Sequence, residues 1–326
     1  MVDPSVGPIA GPILLTGAGG DIGIALARVF REALPDTPIL GADCDAQAVG
    51  AEFVDAFHIL PRADAPDYID ALRALIRREE VQLLIPLAEN ELSRLLAEGC
   101  IGGGIEDAQI ISANERALST GLDKFRTAQL LEEAGLPMPQ TGIVGEHEPG
   151  DFDLIIKPRS GQGSKGLLRL ERSGYESVMA QREGDIWQRW LKDESEEYTC
   201  GLARFETMPT RSLAFRRTLR GGLTGRGEVI HDPRLTQLCA DVAEALDLNG
   251  AINIQLRLDA GTPCIFEINP RFSSTVGFRH RLGFRDAVWS IQDSLGLPIS
   301  AYDPPPEGSR IERVALEVIR PPLPPW

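Results

Sequence analysis

No CxxC pair occurs among the five cysteines, Cys44, Cys100, Cys200, Cys239 and Cys264. That excludes the common thiolate metal sites and dithiol redox motifs, and the scattered, odd set reads as buried, reduced thiols of a cytoplasmic protein. No apolar run approaches the roughly 20 residues that a membrane-spanning helix needs. The opening stretch MVDPSVGPIAGPILL has no basic segment and carries Asp3, so no secretory signal is read. Basic residues are outnumbered, 33 Lys and Arg against 48 Asp and Glu, for a net charge of −15. Such a chain repels nucleic acid and anionic membranes, which leaves small molecules as the expected partners, with a homodimer compatible. The phosphate loop GxxxxGK[ST] is absent, and there is no internal repeat.

What is present is alternation. Across 326 residues, enough for two domains, PILLTG, TPILGAD, VQLLIPLA and AQIIS read as strands. DIGIALARVFREAL, YIDALRALIRREE and NELSRLLAEG read as helices between them. Apolar strands separated by amphipathic helices predict a Rossmann-like parallel sheet covered on both faces, over residues 1–113. A single helical stretch follows from ANERALST to a Gly-Leu-Pro stop. Beyond about residue 141 neighbouring strands pair (DLIIKPR with GLLRLE, YTCGLARF with SLAFRRTLR), so the second part, 114–316, is α+β, and the tail 317–326 is proline-rich and irregular. The fold class is therefore α/β followed by α+β.

The turn TGAGGDIG places Gly17, Gly20 and Gly23 where a dinucleotide fold has its glycines, with Asp43 ending the next strand. An oxidoreductase of the short-chain type also needs Tyr and Lys four apart, and none of Tyr68, Tyr175, Tyr198 or Tyr302 has that partner. An NAD(P)-binding protein is thus kept only as an alternative, and the turn is expected to face another ligand.

Two segments of the second part carry chemistry. In DLIIKPRSGQGSKGLLRL, Lys157 ends an apolar strand ahead of the Gly/Ser-rich stretch 160–166, a way to hold and cover polyphosphate. A plain hairpin with a surface lysine is the competing reading. In AINIQLRLDAGTPCIFEINPRF, Glu267 and Asn269 fall on one face of a strand, with Gln255 on the strand before and Arg271 just beyond. One carboxylate and two amides form an oxygen set suited to Mg²⁺ bridging phosphates, costly to bury without a role.

In this order, LDKFRTAQLLEEAGLPMP, IIKPRSGQGSKG, WQRWLKDESEEYT and NIQL…FEINPRF resemble the ATP-grasp superfamily, its carbamoyl phosphate synthetase-like branch above all, over roughly residues 11–300. The resemblance implies a pre-ATP-grasp domain whose strand ends face the acceptor substrate, then two α+β subdomains clasping ATP, with a lid at roughly 124–190. By position it implies that Lys124 and Lys157 contact phosphates and that Gly161, Gly163, Ser164, Lys165 and Gly166 close over them. Gln188 and the backbone of Trp190 would hold adenine, and Glu197 the ribose. Gln255, Glu267 and Asn269 would bind one or two Mg²⁺, with Mn²⁺ a substitute. Arg271, with Arg216, would stabilise the transferred phosphoryl group. The implied reaction is ADP-forming ligation: ATP phosphorylates a carboxylate and an amine displaces phosphate. The sequence departs from that branch in having one such half rather than two. It also has Leu223 before Thr224-Gly225, where the bicarbonate site carries histidine, which favours an organic carboxylate. A non-catalytic ATP sensor is the remaining alternative.

Overall fold

The computed structural model describes residues 9–161, 166–192 and 197–319. The first hundred residues build β1 (Ile13–Thr16), α1 (Asp21–Ala33), β2 (Ile39–Asp43), β3 (Ala56–Ile59), α2 (Tyr68–Glu79), β4 (Leu83–Pro86), α3 (Glu89–Ala97) and β5 (Gln109–Ile110). The sheet is parallel, in the order β3-β2-β1-β4-β5. It has one strand more than the sequence pattern offers, because AFHI is short, partly exposed and holds a histidine. Leu14, Leu40 and Leu84 point to one face and Ile13, Leu15, Ile39, Leu83 and Ile85 to the other, all buried. Strand order reverses between β1 and β4. Their C-terminal ends therefore diverge into a crevice, the place where open α/β sheets bind ligands.

The expected single helix is two, α4 (Glu115–Gly121) and α5 (Lys124–Glu133). The break is made by Asp123, whose carboxylate accepts from the Phe125 and Arg126 amides as an N-cap and from Arg159 Nε. A capping aspartate inside an otherwise periodic run restarts the helix, and here it also ties α5 to the lid.

The lid is a four-stranded antiparallel sheet, β6-β9-β7-β8, formed by β6 (Thr141–Ile143), β7 (Leu154–Lys157), β8 (Leu168–Leu170) and β9 (Ile186–Arg189), with a short α6 (Tyr175–Val178). The last part contains β10 (Glu197–Phe205), β11 (Met208–Arg220), β12 (Leu223–Ile230), α7 (Pro233–Ala245), β13 (Gly250–Asp259), β14 (Thr262–Asn269), α8 (Val276–Arg281), α9 (Asp286–Ser294) and β15 (Arg310–Glu312). Its six strands are ordered β14-β13-β10-β11-β12-β15, and the five pairings are antiparallel. One apolar cluster runs without interruption from Leu14, Leu84 and Leu92 to Cys200, Ile252, Ile254 and Val242. The parallel sheet and the large antiparallel sheet thus share a core. Among the described residues no helix is long and apolar enough to cross a membrane.

Glu91 on α3 lies fully enclosed beneath the opening turn, where it accepts from Tyr68 Oη. Burial pushes its carboxyl up to about 7. A raised acid keeps its proton in the native state, so its contribution to stability is complete below the ordinary carboxylate range and is lost as pH rises through about 7. Urea unfolding at pH 5 and pH 8 should show the protein less stable at pH 8, by about 1–3 kcal/mol from this group. Glu91→Gln is expected to remove most of that difference, and an unchanged slope in the variant would assign it elsewhere.

Candidate functional site

The register of the large sheet assembles the site. Glu197 pairs with Arg217 and Arg257, Thr199 with Gln255, Gln255 with Glu267, and Asn253 with Asn269. With side chains alternating along each strand, Glu197, Arg217, Arg257, Gln255, Glu267, Asn253 and Asn269 share one face. The lid faces them: Lys157 at the end of β7 is buried and donates to Gln188 Oε1 (3.1 Å) and to the Phe266 carbonyl on β14 (3.2 Å). Burial brings its ammonium down to about 8, against the pull of the nearby Glu267 carboxylate, while Lys124 lowers it further. Lys124, at the start of α5, donates to the Gly161 carbonyl at 2.6 Å.

The structure therefore brings together Lys124, Lys157, Gln188, Glu197, Gln255, Glu267, Asn269 and Arg271. Arg216 is on the opposite face of β11, 44% exposed and paired with Glu228 at 3.0 Å. Arg217, one residue on, is the buried guanidinium of the site. It donates to Glu197 Oε1 (2.7 Å), Gln255 Oε1 (2.9 Å) and Thr224 Oγ1 (3.2 Å). Sequence spacing alone does not distinguish Arg216 from Arg217; the two-residue period anchored on Glu197 does. Gly163, Ser164 and Lys165 lie outside the described residues.

Glu197 is clamped on both oxygens, by Arg217 and by Arg257 Nη2 (2.6 Å). Arg257 and Arg169 lie over the Trp190 ring, 4.8 and 4.4 Å from its centroid, a cation–π stack that holds the chain just after β9. The Trp190 amide donates to the Asp153 carbonyl, so it is committed to the lid. Gln188 spends its amide on Thr141 Oγ1 and its oxygen on Lys157. A concavity of about 880 Å³ opens between Phe152, Arg172, Trp190 and Asp259. It includes neither Lys124 nor Lys157 nor the strand carboxamides, so the site is placed by its donors and acceptors and not by volume.

Glu267 is the one carboxylate among the three candidate metal ligands, and no described group donates a hydrogen bond to it. The amide oxygens of Gln255 and Asn269 accept from Arg217 and Arg271. Among the described residues no cluster of three or more His, Cys, Asp or Glu could hold a metal by itself. The set fits Mg²⁺ shared with phosphate oxygens rather than caged by protein. Arg271 crosses the seam: Nη2 donates to Glu89 Oε1 on α3 (2.9 Å) and to Asn269 Oδ1 (3.1 Å), while its buried Nε has no acceptor.

Asn253 is a site residue that the sequence pattern did not single out. It is fully buried, and its Oδ1 accepts from Thr199 Oγ1 (3.0 Å) and Ser273 Oγ (2.9 Å). Ser273 in turn accepts from Arg279, which is paired with Asp286. Two hydroxyl donors fix the amide, leaving Nδ2 without an acceptor. Its signal in the sequence is the polar alternation Asn253, Gln255 within an apolar strand.

The opening turn is filled by its own chain. Gly19 donates to Asp43 Oδ2 (2.8 Å), and Gly50 packs so closely that an added Cβ would meet the Ala18 carbonyl oxygen at 1.9 Å. The Gly19 amide, which a pyrophosphate would need, is already satisfied.

Residues 122–275 match the ATP-grasp domain family, and residues 13–99 match the PylC-like N-terminal domain. The chain is similar to a D-alanine–D-alanine ligase of Alcanivorax borkumensis, with 29% identity over 124 residues, covering 36% of this chain and 40% of that protein. It is also similar to a carbamoyl phosphate synthase large chain of Archaeoglobus fulgidus, with 24% identity over 194 residues, 52% of this chain and 18% of that one. The chain thus spans less than half the length of either relative. N5-carboxyaminoimidazole synthetase from Staphylococcus aureus, solved with ADP, shares the fold at a TM-score of 0.71 and 14% identity, over 90% of this chain and 79% of that one.

The buried relay behind Asn253 depends on Gly201, where an added Cβ would lie 2.3 Å from Arg279 Cδ. Gly201→Ala is expected to destabilise the fold by about 2 kcal/mol or more. Gly103→Ala, where nothing lies within 4 Å, should change stability by less than about 0.5 kcal/mol. Paired chemical denaturation measures both, and equal effects would mean that Arg279 has room to move.

Proposed function

Because the chain belongs to the ATP-grasp superfamily, we propose that it is an ATP-dependent carboxylate–amine ligase, forming an acyl phosphate and releasing ADP and phosphate. The observation that carries the reading is the polar face between lid and sheet. Among the described residues, buried Lys157 donates only to neutral oxygens, and it stands near a Glu267 carboxylate that accepts no hydrogen bond and near two carboxamide oxygens. A cation and an oxygen set held apart in this way suit a metal-bound polyphosphate.

In this reading Lys157 and Lys124 hold the ATP phosphates. Gln188 and Trp190 border the adenine, and Glu197 meets the ribose while setting Arg217 and Arg257. Gln255, Glu267 and Asn269 would hold Mg²⁺, which would supply the charge neutralisation that an anionic carboxylate needs to approach the γ-phosphorus. Arg271 steadies the phosphoryl group in transfer, and Arg217, on the site face, is better placed than Arg216 to add charge. The carboxylate oxygen attacks phosphorus as the bond to the ADP oxygen breaks, and the amine then displaces phosphate from the acyl carbon. The unpartnered donors Asn253 Nδ2, Asn269 Nδ2 and Arg271 Nε favour a ligand rich in acceptor oxygens over a cationic one.

ADP release across a panel of amino acids and sugar acids with candidate amines tests the reading. Glu267→Gln should lower carboxylate-dependent ADP release by about 100-fold or more, with the fold intact by circular dichroism. Near-normal turnover in the variant would remove the metal assignment. A second measurement concerns Lys157. Phosphate contact raises a lysine held at about 8, so nucleotide binding takes up a proton, and MgATP affinity should weaken as pH rises from 8 to 9.5. Calorimetry of Lys157→Gln should show weaker binding without that pH dependence.

A further inference from the structure

We propose that Glu89 is the carboxylate that receives the amine nucleophile, binding its ammonium form and taking the proton that frees the nitrogen to attack the acyl phosphate. The inference rests on the ligase reading above.

Glu89 begins α3 directly after β4, at the crevice where strand order reverses. The turn after β1 is its neighbour: a Cβ on Gly17 would lie 3.6 Å from Ala88 Cβ. Crevices of this kind take ligands because two loops diverge there and leave backbone and side chains free to face a third body. The three chain segments that rim it, 16–21, 43–48 and 86–91, carry Asp21, Asp43, Asp45, Glu89 and Glu91 and no Lys, Arg or His. The facing sheet, lid and α5 carry Lys124, Lys157, Arg217, Arg257 and Arg271 against only Glu197 and Glu267 among the described residues of the site face, a positive balance. The two sides of the seam are therefore opposite in charge: the grasp side suits phosphates and a carboxylate, and the crevice side suits a cation.

Within that rim the acids are not equivalent. Asp43 is committed to the amides of Gly19 and Asp45. Glu91 is closed in with Tyr68. Glu89 is 94% buried by its 6% exposure, and its Oε1 accepts from Arg271 Nη2. Among the described residues no group donates to its Oε2. A buried carboxylate with one oxygen open asks for a donor, and in an amine-using enzyme the amine is that donor.

The same guanidinium carries the second observation. Arg271 Nε is buried with no acceptor, so it has a donor free for an oxygen of the acyl phosphate. An acyl group on Nε and an amine on Glu89 Oε2 would flank a single arginine and meet without further alignment. In the step, Glu89 first takes one proton from the bound ammonium; the freed nitrogen lone pair then bonds to the acyl carbon as the carbon–oxygen bond to phosphate breaks. Phosphate leaves and takes up the second proton that nitrogen loses.

The test uses the full chain with MgATP, the carboxylate selected by the panel, and one of two nucleophiles: the panel amine, or hydroxylamine, which is uncharged at neutral pH and traps acyl phosphate as hydroxamate. Glu89→Gln keeps an oxygen for Arg271 but has no charge for an ammonium and no base for its proton. Amide formation with the panel amine should fall at least 100-fold, with KM for the amine raised tenfold or more. Hydroxamate formation should fall by no more than about fivefold. Glu89→Asp, which keeps the charge, should recover part of the amine reaction, and it serves as the probe if the glutamine variant melts more than a few degrees lower. Parallel loss of both reactions would mean that Glu89 acts only through Arg271, and full amine coupling in the variant would exclude the role. Either result overturns this inference while the ligase reading stands. A wild-type protein that forms no hydroxamate with any carboxylate would remove that reading, and this inference with it.

Discussion

An ammonium group enclosed between two sheets, which among the described residues donates only to neutral oxygens, is the constraint on which the rest depends. Lys157 meets Gln188 Oε1 and the Phe266 carbonyl, and the Glu267 carboxylate stands near without a hydrogen bond to it. Burying such a charge is expensive, and the surroundings respond by lowering its proton affinity and not by a tight ion pair. Lid strand β7, Gln188 on β9 and the edge strand β14 of the large sheet all meet at this one group. On the proposed reading, a site in that condition is prepared for an anion before the anion arrives.

The other buried cations are treated differently. Arg217 and Arg257 share Glu197, and Arg279 is paired with Asp286 in the interior. These pairs set geometry: the first orients the strand face and stacks beneath Trp190, and the second turns Asn253 toward the site through Ser273. Breaking one partner of such a pair leaves an uncompensated charge, which is why these arginines act as scaffolding for the polar face. Arg271 is intermediate, paired across the seam by Glu89 yet with a free donor.

That seam makes the two parts of the chain one packed body. The apolar cluster continues from the parallel sheet into β10, β13 and α7, so the crevice at β1 and β4 is rigidly placed against the strand end that carries Arg271. The opening glycine turn, which by its spacing invites a dinucleotide, is closed by Asp43 and Gly50. It serves instead as a wall of the crevice.

The sequence by itself determined the order of the parts. Alternation of continuous apolar strands with amphipathic helices pointed to a parallel sheet, because such runs are buried on both faces between two helical layers. The positions of Lys157, Gln255, Glu267 and Asn269 were legible because polar residues inside apolar strands are costly and keep the face that the pleat assigns them. What the sequence did not carry was pairing between distant strands. Whether Arg216 or Arg217 faces the site follows from the register of β11 against β10, and that register is set by core packing over the whole sheet. The break at Asp123 depends on Arg159 arriving from the lid. Glu89 gains its meaning only when Arg271, 182 residues away along the chain, reaches it across the seam. Local periodicity records which face a side chain prefers; only the assembled sheets decide which other side chain it meets there.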